Sequence, residues 1–182
     1  SLSEACIYGQ LIDLRDRNKL DDAAGNTPSY HELYHIVADT MNAAHLEGQL
    51  KAEIIANPER FVDLDPDLPQ TLLDLKHAGK KMFLATNSEW HYTRAMMRYA
   101  FNGRLGDLNW RDLFDLVIVQ AAKPAFFERS EPFFEVIDEE GNETPAQGPL
   151  QPGVIYRGGN AEAVQHHLKM DGSEILYVGD HV

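Results

Sequence analysis

Lys81-Met82-Phe83-Leu84-Ala85-Thr86-Asn87-Ser88 is the stretch that decides how the chain folds. The run from Lys81 to Ala85 is short and apolar enough to read as a buried strand, and it ends abruptly in a hydroxyl, an amide and a second hydroxyl. Just upstream, Leu72, Leu73, Leu75, Lys76 and Gly79 read as a helix closed by a glycine. Just downstream, Trp90, Thr93, Met97 and Ala100 recur at helical spacing between Ser88 and Phe101, with Asn87 or Ser88 placed to cap that helix. Working outward, Phe114-Asp115-Leu116-Val117-Ile118-Val119 predicts a second buried strand. Phe133 to Ile137 and Gly153 to Tyr156 flank the polar stretch Asp138 to Gly148 and predict a hairpin-like excursion. A helix from Asn160 to about Lys169 then leads to a third buried strand, Ile175-Leu176-Tyr177-Val178. Strands alternating with helices predict an α/β fold with a parallel sheet and helices on both faces.

The sequence before this region has another character. From Ser1 to about Leu50 it reads as helical, broken by a loop from Asp21 to Pro28. Ser29-Tyr30-His31-Glu32 has the form of a capping start, followed by Leu33, Val37, Met41 and Ala44 at helical intervals. The predicted organisation is a partial helical cap over residues 1–67 and an α/β core over 68–182.

Charge and composition exclude several function classes. The formal net charge of −13 over 182 residues opposes any broad nucleic-acid surface, because a phosphate backbone would be repelled over most of the protein. A small anion can still be held where lysine, backbone N–H groups or a metal offset that field. The apolar content of 43% is spread in short runs, none near the roughly 18 residues that mark a membrane span. Ser1 to Ala5 lacks the basic head and apolar centre of a secretory signal, so a cytoplasmic protein without nucleic-acid or membrane partners is expected. The lone Cys6 can form no internal disulfide. His166 and His167 are adjacent on a predicted helix and do not share a face, which argues against a metal site there. Trp90 and Trp110 read as packing residues.

In open α/β sheets, ligands collect beyond the carboxyl ends of the strands. Here those ends are Thr86-Asn87-Ser88, then Lys123-Pro124 after the second strand, and Gly179-Asp180-His181 after the third. Thr86 offers a hydroxyl and Asn87 a side-chain amide, while the N–H groups of Asn87 and Ser88 open a helix whose start favours an anion. Lys123 supplies a compact positive charge with three donors, and Asp180 is a hard oxygen ligand suited to Mg²⁺. Three unlike polar groups behind three successive strands point to a shared anion site.

The order Thr-Asn-Ser, Lys-Pro, Gly-Asp-His resembles motifs two to four of the haloacid dehalogenase superfamily, whose members transfer phosphoryl groups through a phospho-aspartate. The flanking text, Phe83 to Ser88, Arg98 to Phe101, Phe114 to Val119, Lys123 to Phe127, Gly148 to Gln151, Val154 to Gly159 and Ile175 to Val182, is similar to the cytosolic purine 5′-nucleotidases of IMP/GMP type. The resemblance runs from about residue 28 to 182 and implies a Rossmann-like core. It implies phosphate binding by Thr86, Asn87 and Ser88, charge neutralisation by Lys123 as a catalytic residue, and Mg²⁺ ligation by Asp180, also catalytic. Val37 to His45, with Gly48, Leu50 and Lys51, resembles the segment that reads base and ribose, implying substrate contacts from Asn42, His45 and Lys51. Two positions depart from the family there: Ala38 stands where relatives carry arginine and Asn42 where they carry the base-reading aspartate, which removes a multi-donor fork. A nucleoside monophosphate substrate and homo-oligomerisation are further implications.

The superfamily reaction needs an Asp-x-Asp pair at the end of a buried strand, one carboxylate to attack phosphorus and one to protonate the leaving oxygen. Asp63-Leu64-Asp65 has the spacing but not the setting, since only Phe61 and Val62 precede it as an apolar run. It reads instead as an acidic lead-in to the helix at Leu68. The chain is therefore expected to be a fragment that lacks the nucleophile and hydrolyses poorly or not at all by itself. The competing readings are a non-catalytic nucleotide-binding module and a phosphatase for another small phosphoester.

Overall fold

The computed structural model describes residues 2–21, 25–46 and 48–179, and among these the side chains of all but 2, 3, 42 and 44–46. The chain divides into two compact units, Ser1–Arg60 and Phe61–Val182.

The first unit is helical: α1 (Leu2–Asp16), α2 (Tyr30–Leu46), α3 (Gln49–Ala56) and a 3-10 turn at Pro58–Arg60. The start of α2 is the reciprocal cap that the sequence predicts. The Ser29 N–H donates to Glu32 Oε2 at 2.7 Å, and the Glu32 N–H donates to Ser29 Oγ at 3.2 Å. Leu33 and Val37 are buried on one face, as their spacing requires, and Met41 is half-buried; the side chain of Ala44 lies outside the described residues. The α1–α2 pair closes around Arg15. Its guanidinium sits 4.0 Å over the Tyr30 ring and its Nε donates to the Pro28 carbonyl at 2.7 Å. The Tyr30 hydroxyl donates to Asp16 at 2.9 Å, and that carboxylate holds the phenol above its ordinary pKa.

The second unit is built on a five-stranded sheet in the order β1-β2-β5-β3-β4. Its strands are β1 (Phe83–Ala85), β2 (Leu116–Val119), β3 (Phe133–Val136), β4 (Glu143–Pro145) and β5 (Ile155–Gly158). The first three in that order are parallel, whereas β3 runs antiparallel to both β5 and β4. The fold is α/β as expected, with a parallel part β1-β2-β5, and the antiparallel β3–β5 pair is the hairpin-like excursion expected of these segments, so the five-stranded sheet as a whole is mixed. The reason is local: the connection from β3 to β4 is far shorter than the dozen or so residues that a parallel crossover needs. β4 escapes a reading by apolar alternation because Glu143-Thr144-Pro145 is polar and carries a proline, which an edge position tolerates.

Every residue of β2 is buried, and its side chains divide between two cores. Val117 and Val119 face Leu73 of α4 (Leu68–His77) and Trp90 and Phe101 of α5 (Trp90–Phe101). Leu116 and Ile118 face Phe126 of α6 (Ala125–Glu128) and Val164 of α7 (Ala161–Leu168). Helices thus cover both faces of the parallel part. α4 ends as predicted at Gly79, whose φ of 77° lets its N–H reach the Lys76 carbonyl while Lys80 reaches Leu75. α7 begins with the Asn160 side chain accepting from the Ala163 N–H at 2.9 Å. The β3–β4 turn is pinned to the α5 side by Glu139, which accepts from both Arg111 and Arg94. The hydrogen bond from Arg111, reinforced by that from Arg94, holds the Glu139 carboxyl below the usual range.

Two expectations need correction. α5 starts at Trp90 with Glu89 at its cap position, so neither Asn87 nor Ser88 caps it. Ile175–Val178 forms no strand. Leu176 is 85% and Val178 83% exposed, because an apolar run becomes a buried strand only when a neighbour offers a hydrogen-bonding ladder. Among the described residues β1 pairs with β2 alone, and its other edge carries no strand. The stretch Asp63 to Asp67 is likewise not a strand; the Asp65 carboxylate accepts from the Asp67 N–H at 2.9 Å just before α4. No described helix is long and apolar enough to cross a membrane.

Ile118 is fully buried at the centre of β2, so Ile118→Ala removes side-chain contacts at the heart of the second unit. Urea unfolding should show a loss of about 2–5 kcal/mol, the range for Ile→Ala in a packed core; a loss under about 1 kcal/mol would contradict the two-core arrangement.

Candidate functional site

The loops after β1 and β2 are laced together by hydrogen bonds. The Thr86 N–H donates to the Ile118 carbonyl at 2.9 Å, the Ala121 N–H to the Thr86 carbonyl at 2.9 Å, and the Gln120 N–H to the Ser88 carbonyl at 2.9 Å. These bonds carry the β1–β2 pairing past the end of the sheet. Gln120 and Ala122 adopt positive φ, 44° and 56°, a left-handed conformation that costs a non-glycine residue roughly 1–2 kcal/mol. The bends they make turn the chain back so that Lys123 returns to the end of β1.

Asn87 completes the join. Its Nδ2 donates to the Lys123 carbonyl at 3.0 Å, and its Oδ1 accepts from the Lys123 N–H at 2.8 Å. Both ends of one amide therefore grip both backbone groups of the lysine. The Lys123–Pro124 peptide is cis. The Lys123 ammonium donates to the Ala85 carbonyl at 2.8 Å, at the carboxyl end of β1, and to the Tyr177 hydroxyl at 3.0 Å. It also lies 5.2 Å from the centre of the Tyr177 ring, which in turn meets Phe127 edge-on at 5.6 Å.

Thr86, Asn87, Ser88 and Lys123 are thus brought together, although not in the roles that their side chains suggest one at a time. The Ser88 N–H, expected to face an anion, donates to Thr86 Oγ1 at 3.1 Å in a two-residue turn of the kind serine and threonine favour. That bond occupies a lone pair of the Thr86 hydroxyl and leaves its proton to donate elsewhere. Asn87 acts first as the tie that positions Lys123. Lys123 is half-buried at the join, so a cation is held where β1 ends.

Asp180, the expected metal ligand, lies outside the described residues, and so do the side chains of Asn42 and His45. Asn42 and His45 belong to α2 and Lys51 to α3, all in the first unit. Among the described residues, no three His, Cys, Asp or Glu side chains gather in a way that could hold a metal ion. Tyr177 was not singled out from the sequence, where it reads as one apolar residue of a strand. Its place in the run just before Gly179-Asp180 was the available signal.

The 5′ nucleotidase family model matches residues 1–182, which is the whole chain. The chain belongs to the 5′-nucleotidase family. A 5′-nucleotidase domain-containing protein of Dictyostelium discoideum is 31% identical over 185 aligned residues, covering 100% of this chain and 30% of the relative. The chain thus spans about 30% of the length of that curated relative.

Asn87→Ala removes both bonds to the Lys123 backbone, and each such bond contributes a net ~1 kcal/mol. Amide hydrogen exchange at Lys123 should accelerate by about tenfold or more, as that loss implies. Asn87→Asp, which keeps the acceptor for the Lys123 N–H, should accelerate it less. Unchanged exchange at Lys123 in Asn87→Ala would show that the side-chain tie does not hold the loop.

Proposed function

We propose that this chain is the phosphate-gripping part of a phosphatase that hydrolyses nucleoside 5′-monophosphates, of the haloacid dehalogenase type and with a purine, IMP/GMP-like substrate. The observation that carries this reading is the pair of hydrogen bonds between the Asn87 side chain and the Lys123 backbone, with the ammonium on the Ala85 carbonyl at the end of β1, next to Thr86. Family membership supports it independently.

In this reading, the Thr86 hydroxyl donates to one phosphate oxygen. Lys123 exchanges its contact with Tyr177 for a contact with the phosphate. The nucleophile is an aspartate from sequence outside these 182 residues, set beside Lys123. Its carboxylate attacks phosphorus, the bond to the 5′-oxygen breaks, and a second carboxyl group, protonated at this stage, gives that oxygen its proton and later takes one from the attacking water. Water then cleaves the acyl phosphate, releasing inorganic phosphate and restoring the carboxylate. Lys123 stays protonated throughout, offsetting charge on the attacking carboxylate and on the phosphoryl oxygens. Mg²⁺, with Asp180 among its ligands, would supply further charge neutralisation at the same oxygens. Asn42, His45 and Lys51 would meet the nucleoside, and the loss of an arginine fork at Ala38 makes base selectivity the property most open to change.

The test is phosphate release by the full-length protein, with Mg²⁺ and a panel of IMP, GMP, AMP and simple phosphoesters. Turnover of about 1–10³ s⁻¹ on a nucleoside monophosphate is expected, and Lys123→Met should lower kcat by at least ~10²-fold, the scale of losing one preorganised charge donor. Nucleotide binding without phosphate release, or full activity in Lys123→Met, would overturn the reading.

A further inference from the structure

In the first turns of α2, His31 and His35 lie one helical turn apart on an exposed face. Side chains at i and i+4 of a helix lie over one another, so this spacing alone brings two imidazoles to one spot. Here they meet through one particular pair of atoms: Nε2 of His31 and Nε2 of His35 are 3.1 Å apart. The rings are nearly perpendicular, with centroids 4.4 Å apart and an interplanar angle of 89°.

That separation matches the bite of a cation held by two imidazoles. With metal–nitrogen bonds of about 2.0–2.1 Å, an N–metal–N angle between 90° and tetrahedral places the two nitrogens roughly 2.9–3.4 Å apart. The observed separation falls inside that interval, so a cation could seat with little movement of either ring. The surroundings hold the two side chains in register. The capping bonds between Ser29 and Glu32 fix the turn that bears His31. Tyr34 meets the His35 ring edge-on at 5.7 Å and is itself met edge-on by Tyr8 of α1 at 5.9 Å.

We propose that His31 and His35 form a two-imidazole clamp for a late first-row divalent cation such as Ni²⁺, Cu²⁺ or Zn²⁺. Imidazole nitrogen suits these ions and disfavours Mg²⁺ and Ca²⁺, which prefer oxygen. No third protein ligand joins the pair among the described residues, so water fills the remaining positions. Without the cation, the rings share one Nε2 proton as a hydrogen bond. On binding, the ring that carried that proton takes it on Nδ1 instead, both Nε2 lone pairs go to the cation, and two waters leave the aqua ion. A bound cation then bridges successive turns and stiffens α2. The clamp uses other residues than the phosphatase reading and stands or falls separately from it.

Isothermal titration of the full-length protein with Ni²⁺ and Zn²⁺ tests the clamp, using His31→Gln, His35→Gln and, as a control, the double variant His166→Gln/His167→Gln. The second imidazole of a chelate acts as an intramolecular ligand, so each of the first two variants should weaken the cation's binding on the order of 10²-fold, with the control unchanged. Both histidines are exposed, and circular dichroism of each variant should match the unsubstituted protein. In the unsubstituted protein, ¹⁵N spectra should show both Nε2 resonances shifting together as one equivalent of Zn²⁺ is added. Equal affinity in His31→Gln or His35→Gln, or a shift in only one ring, would overturn the proposal and leave the pair a hydrogen bond only.

Discussion

A single carboxamide, that of Asn87, grips the backbone of Lys123 from both sides, and the place of the Lys123 ammonium at the end of β1 depends on that grip. Three residues separate Lys123 from β2, and two of them, Gln120 and Ala122, are in left-handed conformation. Each bend carries an unfavourable local term of roughly 1–2 kcal/mol. The hydrogen bonds from Gln120, Ala121 and Lys123 to the Ser88, Thr86 and Asn87 groups offset it. The ammonium consequently stands at the carboxyl end of β1 and not out in solvent on a loose loop. Beneath it, the fully buried β2 anchors both loops, because each of its faces is committed to a different helical layer.

The acidity of the chain sharpens the role of this one lysine. A net charge of −13 repels a phosphate dianion at long range. That repulsion is screened beyond about 8 Å at physiological ionic strength, whereas contact with a half-buried ammonium is screened far less. In the proposed phosphatase, selection for phosphate would therefore be a property of the last few ångströms, around Lys123 and the Thr86 hydroxyl. Among the described residues, the ammonium donates to Ala85 and Tyr177, both uncharged oxygens, with which a charged oxygen competes favourably.

Much of this was readable from residue order. The Ser29–Glu32 cap, the Gly79 stop, the helix that follows Asn160 and the two strands β1 and β2 follow from local chemistry, which the folded chain keeps. Juxtaposition of the Thr86 and Lys123 loops followed from the rule that parallel strands align their carboxyl ends. The features that were not readable are tertiary. Whether Ile175–Val178 is buried depends on a neighbouring strand, not on its own apolar residues. The polar β4 exists because β3 offers it a ladder. The Ser88 N–H is used within its own turn, and Asn87 within the join, because short polar side chains satisfy nearby backbone first. The His31–His35 contact was implicit in an i, i+4 spacing, but the meeting of the two Nε2 atoms is a matter of rotamer.

The central claim is that the joined loops after β1 and β2 enclose one phosphoryl group. A crystal structure of the full-length protein with bound orthovanadate addresses it most directly. The account predicts vanadate oxygens within hydrogen-bonding distance of both Thr86 Oγ1 and Lys123 Nζ, with the Asn87 amide still bonded to the Lys123 backbone. A vanadate ion bound elsewhere, with Thr86 and Lys123 making the same contacts as in its absence, would contradict it.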